Sequence, residues 1–179
     1  MPKTQHHDFA DGNGMVPAHR HRNPDATLGG WVANSAFVDL GVHVGTEATV
    51  FGNAIVRDQV VLTDSACIYG QAIVSGSARI AGNAQIFGNA EVFENAHIFG
   101  NATIHGLAWI YGFAQIFGHV RIGGNMHVNG DTMISGYGHY AGSTNLPDGI
   151  YHSPSATTVT LADSNSALDA ISALDALIG

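Results

Sequence analysis

Eleven histidines stand in a chain with only six Lys and Arg and fourteen Asp and Glu, and they are the first place to look for chemistry. Imidazoles ligate transition metals and act as general bases near neutral pH, so their spacing decides which chemistry is open. His19 and His21 sit in the stretch HRHR, with His6 and His7 upstream. Alternate residues of a strand share one face, so this pair is a candidate chelate. The same segment, with Arg20, Arg22 and Trp31, also offers donors and a flat ring for anchoring the chain to a partner. His105 and His127 form the other candidate pair, on the repeat described below. Cys67 is the single cysteine, so no internal disulfide forms, and its thiol reads as an inert outward group.

Composition narrows what these residues can serve. At 179 residues the chain fits one domain by length, and its 45% hydrophobic content is enough for a core. Charged residues make up 11%, against about 25% in an average globular protein. Together with 23 glycines this points to a regular, turn-rich body with a surface of small neutral groups. The net charge is −8 and no basic stripe exists, which argues against direct nucleic-acid binding. The start MPKTQHHDF lacks the apolar run of a signal peptide, and no stretch has the length and apolarity of a membrane span, so neither secretion nor a membrane partner is expected.

The elements that must position these side chains follow from a period of six. Aliphatic residues fall at every sixth place from Val32 through Val38, Val44 and Val50 to Ile134, eighteen in succession, and Tyr140 and Leu146 extend the phase. Two places earlier the residue is small, unbroken Ala from Ala72 to Ala114 in steps of six; two places later Gly predominates. Each phrase therefore reads as a short strand with the small residue and the aliphatic both inward, followed by a two-residue corner. Gly accepts positive φ at that corner, and the Asn that often follows (Asn53, Asn83, Asn89) is the next most tolerant residue. A helix is excluded, because six does not match a period of 3.6 and a glycine per phrase costs about 1 kcal/mol each time.

The phrase A-x-[IV]-x-G-N strongly resembles the hexapeptide repeat of left-handed parallel β-helices. The likeness covers residues 30 to 146, roughly two-thirds of the chain. It implies an all-β, single-stranded left-handed parallel β-helix in which three hexads make an 18-residue coil, about six coils in a prism on the order of 30 Å long. The segments VPAHRHRN and GGWVANSAFV are similar to the lead-in of repeat proteins encoded in bacteriophage and prophage genomes. Enzymes resembling this fold are acyltransferases, with a histidine base and a coenzyme A groove, or carbonic anhydrases, with zinc between subunits. The second type shows His-x4-His, and no two histidines here are five apart. Nor are any eighteen apart, so none stack directly; His105 and His127 flank one corner on neighbouring coils and remain the best pair. No insertion interrupts the repeat from Gly30 to Gly142 to build an acyltransferase pocket. The expectation is no enzyme, no cofactor and no metal.

Stacking the sequence at eighteen yields outward columns. Phe51, Tyr69, Phe87 and His105 share the first face; Ile55, Ile73, Phe93, Trp109 and Tyr111 share the second; Phe99 and Phe117 share the third. Corner amides such as Asn53, Gln71 and Asn89 are expected to bond one another along the stack. Arg57-Asp58 replaces a Gly-Asn corner and reads as a local salt bridge or subunit contact. Apolar outward residues call for a partner, and the second face is the expected interface of a homotrimer. Residues 1–30 lack periodicity and read as an extended anchoring arm, residues 31–146 as the β-helix, and residues 147–179 as a tail. The tail holds a helix near 165–178 whose Leu168, Ile171, Leu174 and Ile178 form a docking stripe. By resemblance, the expected role is a non-enzymatic virion part such as a trimeric capsid decoration or cement protein. Arm and tail would then bind a capsid or other virion protein, with the cytoplasm as the location if the chain is not phage-encoded. An acyltransferase-like enzyme and a tail-fibre or receptor-binding module are the alternatives.

Overall fold

The structure is a computed structural model and describes residues 5–146, 148–156 and 158–161. The expected helix near 165–178 and its docking residues Leu168, Ile171, Leu174 and Ile178 lie outside the described residues. The described residues form an all-β parallel solenoid of about seven turns, its strands arranged in three sheets of ten, seven and seven. Most repeat strands are two residues long, such as His97–Ile98, and pair with the strand eighteen residues on, as Ile80 does with Ile98 and Ile98 with Ile116.

Local sequence explains this regularity. In Ala96-His97-Ile98 the first and third residues are fully buried while the second faces out, because strand side chains alternate. The His97 amide donates to the Ala114 carbonyl of the next coil at 2.8 Å, and the same bond recurs along every face. All the aliphatics from Val44 to Ile134 at the sixth places are sealed from solvent, each contributing about 1.5–3 kcal/mol of burial. Beside them the alanines leave room for the chain to turn three corners per coil.

The first corner position alone takes positive φ. At Gly112, φ is +72°, and an added Cβ would lie 2.7 Å from the Gly130 nitrogen. The asparagines one place later do not share the conformation; acids replace glycine instead, at Asp58 (φ 64°), Asp64 (54°) and Glu94 (60°). Their carboxylates accept the amide of the glycine one coil on, Gly76 at 2.8 Å, Gly82 at 2.9 Å and Gly112 at 2.8 Å. This corrects the salt-bridge reading of Arg57-Asp58: the aspartate side chain ties two coils together. The amide ladder is likewise displaced. Asn83 donates to Asn101 at 3.0 Å, whereas the expected set Asn53, Gln71 and Asn89 makes no side-chain hydrogen bonds among the described residues.

Both boundaries of the solenoid differ from the sequence expectation. Past Leu146 the winding continues through Ile150–Ser153 on the third sheet and Thr158–Leu161 on the first. At the other end, residues 5–30 are not an extended arm. Strand β1 (Gln5–Asp8) pairs antiparallel with β2 (Met15–Arg22), which pairs antiparallel with β3 (Leu28–Ala33), the first strand of the first sheet. The chain thus covers the end of its first coil with its own strands and moves the open edge of the sheet out to β1. Asn23, only 5% exposed, does the same for the third sheet with a side chain. Its Oδ1 accepts the Val44 amide at 2.8 Å and its Nδ2 donates to the Val44 carbonyl at 3.2 Å, reproducing both bonds of a neighbouring strand.

Candidate functional site

The residues marked out for anchoring are turned largely onto their own chain. A register shift between Arg20 and Arg22 breaks the alternation of β2, so His19 is exposed while His21 is 3% exposed. His21 donates from Nε2 to the Val42 carbonyl at 2.9 Å, and burial holds its pKa below the ordinary imidazole value although that carbonyl pulls the other way. His19 bonds Asn34 through Nδ1 at 3.0 Å. The bulge therefore separates the two rings that a regular strand would have placed on one face, and the chelate geometry is lost. Arg20 donates to the Gly29 carbonyl and lies 5.6 Å from the Trp31 ring centroid. His7 stacks on Trp31 at 4.6 Å. Arg22 is exposed and pairs with Leu28 across the hairpin.

From this cap an aromatic column descends the first sheet. Phe9 stacks on Phe51, Phe51 on Tyr69, Tyr69 on Phe87 and Phe87 on His105, with centroids 4.8 to 5.4 Å apart. Coil spacing of about 4.8 Å matches ring stacking, so one aromatic per coil stiffens the axis. The column ends where Gly123 follows, because the His105 ring occupies the space a side chain there would need. His105 faces His139, centroids 6.2 Å apart, rather than pairing with His127. The Nε2 atoms of both rings are buried without a hydrogen-bond partner among the described residues. Burial, then the Arg121 charge and His139, hold the His105 pKa low. Its expected mate, His127, stacks on Trp109 at 4.8 Å in the second sheet. The His105–His127 metal pair is thus replaced by two separate ring contacts. Among the described residues no group of three or more His, Cys, Asp or Glu could hold a metal ion. Cys67 is half-buried, its pKa raised by burial, with the Thr49 hydroxyl donating to Sγ at 3.4 Å.

The second sheet does gather the five residues expected on one face. Phe37, Ile55, Ile73, Glu91, Trp109 and His127 stand in successive register, and Phe93 stacks on Tyr111 at 4.9 Å beside them. Trp109 is 40% exposed and Phe37 55%. Phe37 was missed, though its place before Val38 in the six-residue phase marks it as outward. Glu91 interrupts the apolar column between Ile73 and Trp109, so a partner there must meet one carboxylate amid hydrophobic surface. Comparison with known proteins finds no family model and no curated sequence that matches the chain.

Proposed function

We propose that this protein is a non-enzymatic structural component whose product is its rigid shape, a left-handed hexapeptide-repeat prism that associates as a homotrimer through the second sheet. The single observation that carries the reading is the unbroken interior: one core of stacked aliphatics runs the length of the solenoid with no inserted loop. Ile55, Ile73, Phe93, Trp109 and Tyr111 supply the apolar contact surface, since closed cyclic symmetry buries one equivalent face per chain. By the likeness of VPAHRHRN and GGWVANSAFV to phage-encoded repeat proteins, the role is a virion part, a capsid decoration or cement protein. Attachment runs through the N-terminal hairpin, whose outer strand β1 ends the first sheet and offers backbone for strand addition, and through the C-terminal tail.

Light scattering on the whole chain tests the assembly. The expected mass is that of a trimer, and Ile73→Asp with Trp109→Asp is expected to give monomers with an unchanged circular dichroism spectrum. A double variant that stays trimeric removes the second sheet from the interface. The virion role is tested by co-sedimentation with particles lacking the protein, where failure to bind overturns it. Turnover of acetyl-CoA that His105→Ala or His127→Ala abolishes would overturn the non-enzymatic reading in favour of an acyltransferase.

A further inference from the structure

A groove of about 430 Å³ opens on the corner between the second and third sheets, lined by Ser77, Arg79, Asn95, His97, Phe113 and Gln115. Three coils each contribute one triplet to it, Ser77-Ala78-Arg79, Asn95-Ala96-His97 and Phe113-Ala114-Gln115. The three alanines are fully buried, so alternation turns every flanking side chain outward. Register sets Arg79 beside His97 and His97 beside Gln115, a ladder with rungs about 4.8 Å apart. The corner amides of Ser77, Asn95 and Phe113 bond the next coil's Glu94, Gly112 and Gly130 carbonyls at 2.7, 3.0 and 2.8 Å, so the second ladder is held as firmly.

The polar groups lining this groove are unused and stand beside an exposed aromatic ring. Some outward polar side chains elsewhere find each other, as Asn83 does with Asn101 and Asn129 with Tyr111. Here Ser77, Arg79, Asn95, His97 and Gln115 have no side-chain hydrogen-bond or ionic partner among the described residues. Glu94, next to Asn95 in the chain, commits its carboxylate to the Gly112 amide, and Arg79 makes no ion pair among the described residues. Phe113 is 60% exposed at the far end. Pockets that take small ligands begin at about 300 Å³ and hold a few placed polar groups beside an aromatic surface. One guanidinium matches a carboxylate, the hydroxyl, amides and imidazole match sugar hydroxyls, and an open ring face matches the C–H face of a pyranose.

The geometry points to a binding site for an acidic saccharide of about two sugar units, lying along the solenoid axis with its carboxylate on Arg79 and a pyranose face on Phe113. The two rungs between the Arg79 and Phe113 levels span about 10 Å, the length of a disaccharide. This goes beyond the structural role, and none of the six groove residues belongs to the proposed trimer face, so the site stands or falls separately from that reading.

The test is a titration of the whole ¹⁵N-labelled chain with digalacturonate, with cellobiose as the neutral probe, followed by amide shifts. Saturable shifts concentrated at residues 77–79, 95–97 and 113–115 are expected, with digalacturonate binding weakened at least about tenfold by Arg79→Gln and by Phe113→Ser. Both side chains are exposed, and an otherwise superimposable spectrum shows that each variant folds. The absence of saturable shifts, equal binding of cellobiose, or undiminished binding by either variant overturns the proposal. The same titration on the Ile73→Asp, Trp109→Asp variant separates it from the assembly question, since binding there is expected to persist.

Discussion

Replacing Asn23 by Ala asks whether the solenoid's first coil is sealed by a single side chain. The substitution removes the acceptor for the Val44 amide at 2.8 Å, the donor to the Val44 carbonyl at 3.2 Å and a bond to the Thr27 hydroxyl at 3.1 Å. Val44 is fully buried, so its two backbone groups are orphaned. A buried polar group left unsatisfied costs about 1–3 kcal/mol, and water entering the space vacated by the amide recovers part of the sum for two such groups. A net cost of about 2–3 kcal/mol corresponds to roughly 30- to 150-fold faster opening of the first coil. Because solenoid coils contact only their neighbours, the loss is local. Hydrogen exchange read by NMR is the assay: the Val44 amide, whose acceptor is the Asn23 side chain, is expected to exchange 30- to 150-fold faster, by the conversion above, while Ile98, three coils on, is unchanged. Asn95→Ala, at an exposed corner without a side-chain bond among the described residues, serves as the control. Val44 exchange within about twofold of wild type, the range of a neutral surface change, would refute the reasoning.

Two further outcomes follow from the corners and the imidazoles. Glu94→Ala keeps the left-handed backbone strain but loses the 2.8 Å bond to Gly112, whereas Glu94→Gly loses the bond and relieves strain of about 1–2 kcal/mol; urea denaturation should therefore find the Ala variant the less stable, and the reverse order would be wrong for this account. His21 and His105 both titrate below the ordinary value of 6.5 in the folded chain, so as pH falls the unfolded chain takes up protons first. Stability is then full above pH 6.5 and declines below it, and thermal melts from pH 7.5 to 5 should show a shallower decline for His105→Asn than for wild type, because the ring whose charging is opposed by burial, then by Arg121 and His139, is gone.

Much of the body was legible in the sequence because its information is local and periodic. Val44 to Ile134 declare themselves inward by phase alone, and every one is buried. The column Phe51, Tyr69, Phe87 and His105 follows from the same arithmetic and stacks as expected. Stretches that break the period were legible only as exceptions. Residues 5–30 contain no repeat, so nothing in their order announced that they fold back as a hairpin. The bulge that buries His21 and exposes His19 depends on where β2 must meet β3.

The sequence by itself determined the all-β character, the eighteen-residue stack and the faces on which outward side chains stand, since each follows from which side of a short strand a residue occupies. Only the tertiary structure decided how those side chains are used. It set Asn23 against Val44 across twenty-one residues, His105 against His139 over the gap at Gly123, and three acids into glycine's corner. It also left five polar groups beside Phe113 without partners among the described residues. Such pairings depend on side-chain reach and on what the adjoining coil leaves empty, and a period of six assigns a residue to a face without recording either.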